Sequence, residues 1–124
     1  MRLVSIAALY MALAVVCGAF GAHALRDHVT PQDMAIWEKA VLYHLVHALA
    51  VLVIVAGGER MVLPQTASKI AVLLLCSISI FSGSLYLLVL LQQRWLGAVT
   101  PLGGSGLIIA WLWFAVSALR SRPR

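Results

Sequence analysis

A chain of 124 residues with 63% hydrophobic side chains, 10% charged ones and a mean hydropathy of +1.01 is not an ordinary soluble domain. Its formal charge of +5 does not describe a nucleic-acid binder, because no basic cluster interleaves with aromatics and the nine Lys and Arg fall at the ends of apolar runs. Four such runs, roughly 3–25, 37–57, 68–91 and 100–119, are each long enough to cross a bilayer as a helix at ~1.5 Å rise per residue.

The first run carries Ala14, Gly18 and Ala22 at offsets of four, a stripe that lets a neighbouring backbone approach closely. Its start mimics a secretory signal, with Arg2, an apolar stretch and Ala22-His23-Ala24 as a cleavage-like site. The stretch exceeds a signal core in length, so an uncleaved anchor is expected. Val16 ahead of Cys17 does not fit a lipoprotein site. Cys17 and Cys76 have no second cysteine at ligand spacing and read as packing residues.

Thr30-Pro31-Gln32-Asp33 reads as a helix start, with Thr as N-cap, Pro at the first helical position and Asp near the positive dipole end. Asp27 and Asp33 are assigned to an exposed loop, Trp37 to an interfacial anchor, and Glu38 and Lys39 to a solvated helix end. Further along, Tyr43, His44 and His47 share one face and are expected to point into the bundle. Gly57-Gly58-Glu59-Arg60 closes the second run, and Pro64 to Ser68 start the third.

The third run holds Ser77, Ser79, Ser82, Gly83 and Ser84, another close-approach surface, and Gln92-Gln93-Arg94-Trp95 caps it. Thr100-Pro101 repeats the earlier N-cap and proline arrangement, followed by Gly103, Gly104 and Gly106. The predicted fold is all-α: a polytopic, antiparallel bundle of four transmembrane helices forming one domain over 1–124. The positions expected to pack are Gly18, Gly21, Ala22, Gly83, Pro101, Gly103 and Gly104.

Arg2, Arg60, Lys69, Arg120, Arg122 and Arg124 lie at the termini and second loop, against Arg26, Lys39 and Arg94 at the other two loops. The positive-inside rule then places both termini in the cytoplasm. Counting inward from the outer ends puts His23 at ~3 Å, His44 at ~10 Å, His47 at ~15 Å, Tyr86 at ~8 Å, Ser84 at ~10 Å and Ser82 at ~14 Å. The Gly103-Gly104 pair falls at ~5 Å. His23, Tyr43, His44, His47, Ser82, Ser84, Tyr86 and Thr100 thus form a candidate polar cluster in the outer leaflet.

Three functions compete for that cluster. The polar groups can be structural, bridging helices at roughly 0.6–2 kcal/mol each. They can serve a small-solute or proton carrier or channel assembled as an oligomer, although polar residues should then run through both leaflets. Or the histidines can hold a metal or haem, against which stand a ~12 Å difference in depth between His23 and His47 and the want of an intramembrane carboxylate. No nucleophile–base–carboxylate set is legible, so no catalytic residue, metal or cofactor is expected.

Several of these residues carry a family likeness. Gly18-Ala19-Phe20-Gly21-Ala22-His23, Tyr43-His44, His47-Ala48-Leu49-Ala50, Phe81-Ser82-Gly83-Ser84-Leu85-Tyr86 and Thr100-Pro101 with Gly103-Gly104 occur in order across nearly the whole chain. Together they resemble the YgdD-type bacterial inner-membrane family, a domain of unknown function related to a small eukaryotic transmembrane family. The resemblance implies a four-helix inner-membrane protein and no reaction, substrate or cofactor. The expected partners are the lipid bilayer and either further copies of the chain or a larger membrane complex, and the expected role is that of an accessory or scaffold protein.

Overall fold

The computed structural model describes residues 2–57 and 60–121. Gly58 and Glu59 of the second turn, and Arg122 and Arg124 of the tail, lie outside the described residues. Four helices account for most of the rest: α1 (Arg2–Phe20), α2 (Pro31–Gly57), α3 (Pro64–Leu91) and α4 (Thr100–Arg120). With their flanking turns, all four are long and apolar enough to cross a membrane. Helix is the form available to such segments, because lipid offers no partner for a free backbone N–H or C=O.

α1 packs on α2, α2 on α3 and α3 on α4 in chain order, with α1 also touching α3. The end of α1 meets the start of α2, where the Trp37 indole N–H donates to the Cys17 carbonyl at 2.9 Å. The start of α2 meets the end of α3 at Asp33 and Gln92, so neighbouring helices run antiparallel. α2 and α3 form the interior pair and α1 and α4 the flanks. Ala7 and Ala14 are the buried residues of α1; Gly103, Leu107 and Ala110 are those of α4. One core cluster sets Val51 and Ile54 of α2 against Ile70, Leu74 and Ile78 of α3. A second, at the other end, gathers Leu25, Met34, Trp37, Leu88, Val89 and Leu96. Trp37 is 3% exposed and therefore a core residue, not the interfacial anchor expected of it. Its ring sits over Gly21, where an added Cβ would come within 2.6 Å of it.

The glycines divide sharply. A Cβ on Gly103 would collide with the backbone N of Phe81 and lie 2.7 Å from the Ser77 carbonyl oxygen, so α3 and α4 touch backbone to backbone there. Gly106 is pressed on the Ser77 hydroxyl in the same way, and Gly18 lies against Val41. Gly104 makes only ordinary contact with the Phe81 ring. Gly83 faces open space, and Pro101 and Ala22 are exposed, which removes all three from the expected packing set. Offsets of four identify a stripe but not which side of the helix meets a neighbour.

Depth counting also misplaces α4. The connector turns back on itself through a 3-10 turn at Arg94–Ala98, and its Leu96 packs with Leu88 of α3. As a result Thr100 meets Ser84, ~10 Å along α3 from Leu91, and Gly103 meets Phe81 and Ser77, ~15–21 Å along it. The glycine pair is therefore a mid-helix contact. Thr100 is not an N-cap either, because Val99 occupies that position.

The N-terminus of α2 is built as expected, with Thr30 Oγ1 accepting the Asp33 N–H at 3.1 Å. Asp33 itself is 2% exposed and does not belong to an open loop. Its two oxygens accept from Arg94 Nη1 at 2.8 Å and Nη2 at 3.2 Å, and Oδ2 also accepts from Gln92 Nε2 at 3.0 Å. This clamp lies ahead of the apolar stretch that begins at Trp37 and ties α2 to the α3–α4 connector. Gln92 caps α3 in the left-handed region, φ 54°, which costs a residue with a Cβ about 1–2 kcal/mol. Its amide offsets that cost by donating to Asp33 and to the Val89 carbonyl at 2.7 Å.

Hydrogen bonds from Arg94, then Gln92, hold the Asp33 carboxyl below its ordinary range. A depressed pKa contributes stability that is complete above the unfolded value of about 4 and is lost as pH falls through the folded value. Thermal stability in detergent should therefore fall as pH drops below about 4. Asp33→Asn should cost about 1–3 kcal/mol at neutral pH and flatten that acid limb, because half-exposed Arg94 can re-solvate. For the helix contact, Gly103→Ala should destabilise by about 1–3 kcal/mol. Gly83→Ala should be neutral or stabilise by up to about 1 kcal/mol, through helix propensity alone. Equal melting shifts for the two alanine variants would contradict the α3–α4 contact.

Candidate functional site

The polar side chains inside the spans fall into three linked groups. On the α1 side, His44 is 4% exposed and its Nδ1 is 3.1 Å from the Tyr86 hydroxyl. The ring of Tyr10 meets His44 edge-on at 5.7 Å between centroids, and that of Trp37 lies 4.6 Å from Tyr86. Tyr10 also reaches α3. Ser79 gives its proton to the Leu75 carbonyl at 2.7 Å, so the Tyr10 hydroxyl is the donor in its 2.6 Å bond to Ser79 Oγ.

On the α4 side, His47 is 7% exposed. Its Nδ1 lies 2.7 Å from the Tyr43 carbonyl oxygen, which can only accept, so Nδ1 carries the proton. Nε2 is then the acceptor, and the Trp111 indole N–H donates to it at 3.1 Å. Both nitrogens are committed in one neutral tautomer. Tyr43 stacks on His47 and on Phe81 at 5.8 and 4.7 Å between centroids, yet 39% of it is exposed, so it forms the outer wall of this group.

Between these two groups α3 supplies hydroxyls. Ser82 donates to the Ala40 carbonyl at 2.7 Å, joining α2 to α3. Ser84 donates to the Phe81 carbonyl at 2.9 Å and pairs with Thr100 at 2.6 Å, joining α3 to α4. Among the described residues, no buried side-chain nitrogen or oxygen lacks a partner.

Seven of the eight residues expected in the cluster therefore take part in these contacts, but they do not converge on one point. His44 turns towards α1 and His47 towards α4. The eighth, His23, is exposed. The cause is helical phase: His23 stands nine residues, about 180° around the axis, from buried Ala14 and two residues from buried Gly21 and Leu25, so it lies on the outward face. Three imidazoles that point in three directions do not make a ligand set. Sequence reasoning missed Tyr10 and Trp111, whose signal was a ring with a polar tip inside an apolar run. It also missed the Asp33–Arg94 pair, legible as opposite charges at the same end of two spans.

Four apolar spans held together by internally paired polar groups define a small integral membrane protein of the helical, polytopic class. The chain belongs to the DUF423 family, described as a protein of unknown function, whose model matches residues 17–104. It is 45% identical over 114 residues to a UPF0382 membrane protein of Staphylococcus epidermidis, covering 91% of each chain. It is 38% identical over 108 residues to the UPF0382 membrane protein YwdK of Bacillus subtilis, covering 87% of this chain and 88% of that one. No solved structure matches it.

The His47–Trp111 bond makes a direct prediction. Single variants His47→Ala and Trp111→Phe and their double variant, unfolded in detergent, should show a coupling energy of about 0.6–2 kcal/mol. Additive effects would mean that the imidazole does not bridge α2 and α4.

Proposed function

We propose that this membrane protein acts by helix packing, as an accessory or scaffold component of the bacterial inner (plasma) membrane, with both termini in the cytoplasm. One observation carries the reading. Among the described residues the buried polar side-chain atoms are all paired, whereas the flanking helices turn large apolar side chains outward. On α1 these include Leu9 and Val16, 68% and 62% exposed; on α4 they include Leu102, Leu112 and Leu119, 69%, 62% and 85% exposed. Such faces suit lipid, a second copy or a partner helix, and the reading commits α1 and α4 to protein contacts in the native membrane. The distribution of Arg and Lys between the loops supports the orientation. A metal role for His47 would require breaking bonds at both of its nitrogens, and among the described residues no polar file joins the two ends of the bundle in support of a carrier.

Crosslinking in native membranes followed by affinity purification tests the reading. The expected product is a discrete oligomer or a complex of fixed composition, and an uncrosslinked monomer throughout would remove it. For orientation, a C-terminal alkaline phosphatase fusion should be inactive and a C-terminal fluorescent-protein fusion bright; the reverse pattern would invert the topology.

A further inference from the structure

Outside the polar network, α1 and α2 leave an open groove of about 250 Å³ on the molecule's surface. Gly18 and Ala22 line it from α1, and Trp37, Val41 and Leu45 from α2. Its rim is charged: Arg26 Nη2 and Glu38 Oε1 are 3.3 Å apart, with side chains 58% and 59% exposed. The local backbone explains the alignment. In a plain α-helix, residues four apart drift by about 40° around the axis. The π turn at Gly21–Leu25 has more residues per turn and cancels part of that drift, which brings Arg26 over Ala22 and Gly18. The small residues leave the hollow, and Trp37, fixed by its bond to Cys17, forms a rigid wall.

The rim marks a level. Arg26 directly follows the first apolar run and Glu38 directly follows Trp37 at the start of the second, which is where lipid headgroups meet hydrocarbon. A lateral, apolar hollow below that level is filled by an acyl chain when the protein is in a bilayer. Above it stand one cation and one anion, both free to make further bonds, since their mutual contact uses one guanidinium N–H and one carboxylate oxygen. That pattern complements a headgroup carrying a phosphate and a primary ammonium. An anionic headgroup would satisfy Arg26 and be repelled by Glu38. A choline headgroup has no N–H to donate to the carboxylate.

We propose that the α1–α2 groove is a binding site for a phosphatidylethanolamine-type lipid, its acyl chain seated between Gly18, Ala22 and Val41, its phosphate on Arg26 and its ammonium on Glu38. Native mass spectrometry of the delipidated full-length protein, titrated with phosphatidylethanolamine, phosphatidylglycerol and phosphatidylcholine of identical chains, reads this out. Phosphatidylethanolamine should bind roughly threefold or more tightly than either other lipid. Glu38→Gln should remove that preference and raise phosphatidylglycerol binding, and Arg26→Gln should weaken all three. Ala22→Leu, at an exposed position, should fill the hollow and lower binding of every lipid while the melting temperature holds. Equal binding of the three lipids, a wild-type preference for phosphatidylglycerol or phosphatidylcholine, or unchanged selectivity in Glu38→Gln would overturn the proposal. If Ala22→Leu fails to fold, the two charge variants decide it. None of these results depends on the oligomeric state or the orientation of the termini.

Discussion

Hydrocarbon offers no hydrogen-bond partner, and that single deprivation organises this protein. It forces the backbone into helices, and among the described residues it leaves each buried polar side-chain atom with a partner. Ser82 uses a carbonyl of α2, His47 uses a carbonyl of its own helix and the indole of α4, and Tyr86 uses the imidazole of α2. Each bond is worth little alone, but unmaking one strands a polar group where water does not reach. The helices are therefore held in register by a few directional contacts, while dispersion between small residues brings them close enough to form.

Two devices set the geometry around that network. The Asp33 clamp joins the start of α2 to the connector after α3, and it depends on three groups arriving together: a capped helix start, a left-handed Gln92 and the fork of Arg94. The connector's return onto Leu88 then lowers the start of α4, so that Gly103 and Gly106 meet Ser77 and Phe81. Because α4 leans on α3 and α1 on α2, the two flanking helices keep their outer faces for other molecules. The π turn near the end of α1 serves a different end, aligning Arg26 with the α1–α2 groove.

Legibility in the sequence tracked how local each cause was. The N-cap at Thr30 was readable because hydroxyl and amide lie within one turn of each other. The inward placement of His44 and His47 followed from the cost of polar atoms in lipid. Tyr10 escaped notice because nothing within α1 reveals that Ser79 stands opposite. Gly83 and Gly103 looked alike in the sequence, yet one faces open space and the other a backbone. Asp33 looked like a loop residue because its partners arrive some sixty positions later.

By itself the sequence determined that this is a four-span helical membrane protein, since hydropathy and run length act residue by residue against a bilayer of known thickness. Tertiary structure alone decided which faces meet, how far α4 is displaced along α3, and that the polar residues form struts in several directions instead of one converging site. Those outcomes depend on helix rotation and connector path, and a π turn or a folded-back loop changes both without leaving a periodic trace in the chain.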